Sequence, residues 1–269
     1  MYKLLAVDMD GTLLNNDKII SKGNKAAIKK AIEKGVKVVL TSGRGLKGLD
    51  KFLSEVHLRG ENEYLIANNG GTIYRTSDFK CISYKGLKGR DLVKVHAVSV
   101  EFGLDMIAYT HEGSIASAES EFTRFETKFV GNHVKILDFN TEVNDEDEIT
   151  KILLSQTEKL LAKKMLELPK EFYSEYNVVK TMPIVLEVMD KDCNKGYGVK
   201  VLADKLGIKK EEIICIGDEA NDIEMITYAG LGIAMGNAIE ELKDVAQYVT
   251  TDNDNDGVAK AIEKFILNL

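Results

Sequence analysis

The apolar positions of this chain fall into short unbroken runs divided by amphipathic stretches of helical period. Leu4 to Val7 is the first run, of the kind that fits a strand covered on both faces. Asp8 and Asp10 stand at its carboxyl end, and Gly11 then interrupts the regular backbone. Ser21 is placed to cap a helix in which Ala27, Ile28, Ala31 and Ile32 recur at helical spacing, with Gly35 as its stop. Val36 to Leu40 follows as a second buried strand and runs into Thr41-Ser42-Gly43-Arg44. Leu46 to Val56 reads as helix, and Tyr64 to Ala67 as a third strand closed by Asn68-Asn69-Gly70-Gly71. Strand, helix, strand, helix, strand is the rhythm of a doubly wound sheet.

That rhythm breaks between about Ser83 and Asp190. This stretch mixes a helix (Arg90 to Phe102), strand-like pieces (Met106 to Thr110, Lys151 to Ser155) and a second helix (Thr157 to Leu166). It ends in an antiparallel pair, Asn177 to Met182 and Ile184 to Met189. Strands and helices without strict alternation indicate an α+β unit. The alternating pattern then resumes: helix over Gly198 to Leu206, strand over Ile213 to Ile216, helix over Asn221 to Tyr228, strand over Leu231 to Ala234 and a closing helix over Val258 to Leu267. The expected fold class is therefore α/β, a doubly wound, mostly parallel, Rossmann-like sheet core formed by residues 1–83 and 191–269. An α+β cap domain, 84–190, is inserted in it. A sheet divided in this way needs both halves of the chain to fold together.

Composition narrows the partners. With 269 residues the chain has ample length for a buried core, and a net charge of −7 provides no basic footprint for nucleic acid. An anionic substrate must then be held by local cations, backbone N–H groups and metal. Asp8 and Asp10 interrupt any apolar segment of a secretory signal, and no apolar run approaches the ~20 residues that span a bilayer. A cytoplasmic chain without a membrane partner is expected. Cys81, Cys193 and Cys215 are odd in number and scattered, which argues against a disulfide framework and for reduced packing residues. The run Asn144-Asp145-Glu146-Asp147-Glu148 reads as a solvated loop or helix start rather than a metal site. Nothing in the sequence specifies an oligomeric state.

The candidate chemistry sits where strands end and helices begin. Two carboxylates as close as Asp8 and Asp10 repel unless a cation lies between them or one takes up a proton. Mg²⁺ prefers carboxylate and carbonyl oxygens while it bridges to substrate phosphate, so the pair suggests a magnesium phosphate site. Asp, Gly and Thr are also ordinary turn residues, and the alternative is a solvated turn. Ser42 ends the second strand, where its hydroxyl and the backbone N–H groups of a turn through Gly43 suit an anion, and Arg44 adds a forked donor. Lys195 precedes a helix beginning near Gly196, so a cation and a helix N-terminus could point the same way. Asp218 again stands at a strand end, with Asp222 one helical turn on, either as further acids of one ion site or as helix caps. Asn69 is open between substrate contact and loop support, as Lys180 and Glu187 are between surface and specificity roles.

Taken together, these residues resemble the haloacid dehalogenase superfamily of phosphotransferases and, within it, the Cof-type sugar-phosphate phosphatases with a large α/β cap. Asp8-Met9-Asp10-Gly11-Thr12 is similar to the first motif of that family, Ser42-Gly43-Arg44 to the second, Lys195 to the third, and Gly217-Asp218 with Asn221-Asp222 to the fourth. Asn69-Gly70-Gly71, Ala229 to Ala238 and Asp256-Gly257-Val258-Ala259 also resemble this branch, while Gly45 stands where many relatives have proline. The resemblance implies that Asp8 is the nucleophile, taking the phosphoryl group as an aspartyl-phosphate, and that Asp10 is the general acid and base. It implies a Mg²⁺ ion on Asp8, the Asp10 backbone carbonyl and Asp218, with Asp222 behind them. Ser42, Gly43, Arg44 and Lys195 would bind the phosphoryl group, and Asn221 would contact phosphate or substrate. The expected partner is a small phosphorylated metabolite, with the inserted domain excluding water and shaping the leaving-group pocket. A hexose phosphomutase and a catalytically silent metabolite-binding protein are the competing readings.

Overall fold

The computed structural model describes residues 1–46, 49–131 and 133–268. The chain divides into two compact units, Met1–Tyr84 with Asn194–Leu269, and Lys85–Cys193. The first unit is built on a sheet of β1 (Leu4–Asp8), β2 (Lys37–Thr41), β3 (Tyr64–Ala67), β4 (Thr72–Arg75), β5 (Cys81–Tyr84), β6 (Ile213–Gly217), β7 (Leu231–Ala234) and β8 (Tyr248–Val249). Their order across the sheet is β8-β7-β6-β1-β2-β3-β4-β5. From β8 to β3 every neighbouring pair is parallel. The fold class is the α/β, mostly parallel sheet that the alternation predicts. All five residues of β1 are buried, and Ala6 lies opposite Val39 of β2 on one side and Cys215 of β6 on the other. The first strand thus pairs with a strand more than 200 residues away, so neither half of the core closes without the other.

Helices α1 (Lys22–Glu33), α2 (Asp50–Glu55), α3 (Lys195–Leu206), α4 (Ile223–Tyr228), α5 (Glu240–Val245) and α6 (Gly257–Ile262) complete this unit. Ser21 caps α1 as expected, its hydroxyl accepting the Asn24 N–H, and Gly35 follows at φ +84°. Of the expected helix Leu46 to Val56, Asp50–Glu55 is α-helical, and residues 47 and 48 lie outside the described residues. α3 begins earlier than its apolar pattern suggests. Asn194 accepts the Tyr197 N–H at 2.8 Å and brings Lys195 into the first turn. The stretch Asn221 to Tyr228 is not one helix: Ala220–Asp222 is a 3₁₀ turn, because the Asp222 side chain bends back onto the N–H groups of Asp218 and Glu219. β4 and β5 add an antiparallel extension that the sequence reading passes over. With only a tight turn after β3, the chain has no helix with which to cross back, and it pairs antiparallel.

The second unit carries a sheet of Tyr176–Met182, Val185–Asp190, Lys151–Ser155, Asp105–Tyr109, Ser114–Ala116 and Val134–Ile136, in that spatial order. Helices Gly89–Phe102, Glu158–Glu167 and Lys170–Glu175 supply apolar residues to its core. The expected terminal hairpin is present. Lys180 is exposed on the edge strand, whereas Glu187 is buried and paired with Lys151 at 2.5 Å. Residues 144–147 form a turn in which Asp147 accepts the Asn144 N–H. Cys193 and Cys215 are buried and Cys81 is half-buried, and none of the three is in a disulfide. Among the described residues no helix is long and apolar enough to cross a membrane.

Two asparagines stitch the loop after β1 to the end of the chain. Asn24, fully buried, donates to the Leu13 carbonyl and accepts the Ala259 N–H at 2.9 Å, so a side chain of α1 caps the first turn of α6. Asn253 donates to the Leu14 carbonyl at 3.0 Å. Replacing Asn24 by Ala strands a buried acceptor and a buried donor, each worth about 1–3 kcal/mol. We expect Asn24→Ala to lower the urea midpoint by the equivalent of about 2–6 kcal/mol with an unchanged slope.

Candidate active site

Parallel pairing of β1 with β6 brings the first and fourth motifs together. Val7 lies opposite Ile216, so Asp8, the last residue of β1, and Asp218, the residue after β6, emerge from adjacent strand ends. Lys195 enters from the first turn of α3 and is almost fully buried. Its ammonium donates to Asp8 Oδ1 at 2.6 Å and to Asp222 Oδ1 at 2.5 Å. Among the described residues, Asp8, Asp218 and Asp222 form a buried group in which one carboxylate oxygen from each lies within 4.8 Å of the other two. Asp222 is fully engaged, since its Oδ2 accepts the N–H groups of Asp218 and Glu219. Asp218 Oδ1 accepts the Thr12 hydroxyl at 2.6 Å. Asp8 Oδ2 and Asp218 Oδ2 have no protein donor among the described residues.

Three carboxylates against one ammonium leave this cluster short of positive charge. Burial pushes the Asp8 carboxyl well above its ordinary range, Asp222 and Asp218 push it further, and Lys195 offsets only part of this. Burial likewise carries Asp218 up to about 6, against the Thr12 hydrogen bond. Burial alone would lower Lys195, but Asp8 and Asp222 outweigh it and hold the ammonium charged, above its usual value. A buried all-oxygen donor set with surplus negative charge and uncommitted oxygens on two aspartates fits a hard divalent cation. Gly11 makes room for it: at φ +82° it adopts a left-handed backbone, and a Cβ there would lie 2.1 Å from Asp218 Oδ2. Asn237 secures the turn by donating to the Gly11 carbonyl at 2.8 Å.

The Asp10 carboxylate is not part of this group. Arg44 grips it with two bonds, Nε to Oδ2 at 2.7 Å and Nη2 to Oδ1 at 2.6 Å, and Lys18 reaches Oδ1 at 3.0 Å. Partial burial pushes the Asp10 carboxyl up, but hydrogen bonds from Arg44 and Lys18 outweigh it and hold it below its ordinary value. Arg44, expected to await an anion, is therefore already engaged by a carboxylate of its own chain. Ser42 is buried, its hydroxyl accepting the Arg44 N–H at 3.1 Å and its carbonyl accepting the Asn69 N–H. Asn69, at φ +51°, accepts from Asn221 Nδ2 at 2.9 Å, and a Cβ on Gly43 would lie 3.0 Å from its side chain. Asn69 thus supports the loops carrying Gly43 and Asn221. The sequence reading quoted Thr12 and Asn237 only within stretches of resemblance, without a role, and passed over Lys18, Asn24 and Asn253. A hydroxyl next to Asp-Gly was a usable signal for Thr12. The others depend on contacts across the chain that have no local pattern.

A family model described as haloacid dehalogenase-like hydrolase matches residues 5–262. The chain belongs to that family and is a hydrolase of the phosphatase type. The Bacillus subtilis protein YxeH is 35% identical over 271 residues, covering 99% of both chains. The B. subtilis 5-amino-6-(5-phospho-D-ribitylamino)uracil phosphatase YcsE is 34% identical over 266 residues, covering 98% of this chain and 96% of its own. A haloacid dehalogenase-like hydrolase from Bacteroides thetaiotaomicron, solved by crystallography, superposes with a TM-score of 0.85 at 29% identity, over 99% of this chain and 100% of that one.

The charge deficit generates a pH dependence. In the metal-free protein, Asp218 takes up its proton more tightly when folded than when unfolded, so its contribution to stability is present below 3.8 and is lost as pH rises towards about 6. A divalent cation should therefore raise Tm more at about pH 7.5 than at about pH 5, read by thermal melts with and without metal at each pH. We also expect Gly11→Ala to keep the native circular dichroism spectrum while phosphatase activity falls by roughly 100-fold or more, because the added carbon displaces Asp218.

Proposed function

We propose that the protein hydrolyses small phosphorylated sugars or sugar alcohols in a Mg²⁺-dependent reaction that passes through an aspartyl-phosphate on Asp8. The observation carrying this reading is the Lys195 ammonium, buried between Asp8 and Asp222 beside a third carboxylate. A carboxylate is a poor nucleophile towards an anionic phosphate ester until the repulsion between them is masked. Asp8, Asp218 and the Asp10 backbone carbonyl would hold Mg²⁺, which when bound supplies that charge neutralisation and orients the phosphoryl oxygens.

The chain's own groups carry the remaining work. An Asp8 oxygen attacks phosphorus as the bond to the leaving oxygen breaks, and Asp10 gives that oxygen a proton. Asp10 then takes a proton from water, whose oxygen attacks phosphorus and releases Asp8 and inorganic phosphate. Lys195, the Ser42 hydroxyl and the Gly43 backbone N–H hold the transferring group, and Asn221 contacts phosphate or substrate. The Asp10 carboxyl, held below its ordinary range by hydrogen bonds from Arg44 and Lys18, suits the second half of the cycle. The first half requires Arg44 to turn from Asp10 to the incoming phosphate, whose oxygens its fork fits equally well, and Asp10 to take up the proton that it then donates. The sugar-type leaving group is supported by the phosphorylated ribityl compound in the name of the 34% identical relative.

Phosphate release over a panel of sugar and sugar-alcohol phosphates tests the reading. Activity should need Mg²⁺ and vanish with a chelator, and Asp8→Asn should lower kcat by more than about 1,000-fold with folding intact. Asp10→Ala should lose most, roughly 100- to 10,000-fold, on esters with poor leaving groups. Equal loss on every ester would remove Asp10 from the acid role.

A further inference from the structure

We propose that Lys18 is a positioning residue for Asp10, holding its carboxylate in place when Arg44 turns to the phosphoryl group. The proposal rests on the reaction proposed above. Lys18 lies on the turn that follows the first motif, and its Nζ meets Asp10 Oδ1, the same oxygen that takes Arg44 Nη2. If Arg44 were the sole anchor, its departure would free the side chain to rotate at the moment when Asp10, protonated on the Oδ2 that Arg44 has left, must donate.

The turn is built to present this side chain. Lys18 adopts φ +59°, a left-handed conformation that costs a non-glycine residue roughly 1–2 kcal/mol. The surrounding hydrogen bonds hold it there: Lys18 N to the Asn15 carbonyl at 2.9 Å, Asn15 N to the Ile19 carbonyl at 3.0 Å, and Ile19 N to Asn15 Oδ1 at 2.9 Å. The turn is in turn fastened to the C-terminal loop, where Asp254 accepts the Asn16 N–H at 3.0 Å and the Asn16 side chain at 2.5 Å. Lys18 and Asp10 side chains are 59% and 38% exposed, so their ion pair adds little stability and does not explain a strained lysine. What the braced turn secures is a fixed direction for one carboxylate.

The test compares wild type, Lys18→Met, Lys18→Arg and Asp8→Asn on phenyl phosphate and 4-nitrophenyl phosphate with Mg²⁺. It reads kcat/KM, which reports transfer to Asp8, and thermal melts confirm folding of each variant. Lys18→Met should lose about tenfold on the phenyl ester, whose leaving oxygen needs a proton, and less than about twofold on the nitrophenyl ester. Lys18→Arg should recover most of the loss. An equal loss on both esters, or none on either, overturns the positioning role. Activity retained in Asp8→Asn overturns the reaction on which the role rests, whereas an inactive Asp8→Asn beside an unaffected Lys18→Met overturns the role of Lys18 alone.

Discussion

The structure depends on one buried ammonium ion. Lys195 is 1% exposed and bridges Asp8, 187 residues earlier, to Asp222, 27 residues later. Removing a charge of this kind from water costs several kcal/mol, and only close pairing with good geometry recovers it. The two carboxylates need the lysine equally, because each is buried and lies within reach of a like charge. The site therefore cannot assemble piecemeal: the end of β1, the start of α3 and the turn after β6 must be in place together.

The same electrostatics explains the shape of the first loop. Asp218 approaches so closely that Gly11 can carry no side chain, and Thr12 commits its hydroxyl to Asp218. Asn24, Asn237 and Asn253 then hold that loop from three directions through backbone groups. Their amides satisfy carbonyls that a loop without regular structure would otherwise leave unpaired. Asp8 sits at the end of a buried strand, while Asp10 and Lys18 sit on a loop braced by the C-terminal segment.

In that segment three carboxylates are spent on the chain's own donors: Asp252 accepts from Asn255, Asp254 from Asn16, and Asp256 from Ser21. These acids fasten the loop after β1. The group of described acids that converges is Asp8 with Asp218 and Asp222, which lie more than 200 residues further along the chain.

The sequence by itself determined the elements and the chemical types. Apolar runs ending in Asp8, Thr41 and Gly217 announced strands buried on both faces, the helical spacing after Ser21 announced α1, and the break after Ser83 announced a different kind of unit. Such signals are local, since burial on two faces or on one stripe imprints its period on neighbouring residues. What only the tertiary structure decided is pairing: that Arg44 grips Asp10, that Asn69 receives Asn221, that Glu187 is buried with Lys151, and that Lys18 reaches back to the first motif. Each of these joins polar side chains that carry no sign of their partner in the residues around them. A hydrogen bond or ion pair is set by the meeting of two surfaces, and neither partner carries a periodic trace of the other.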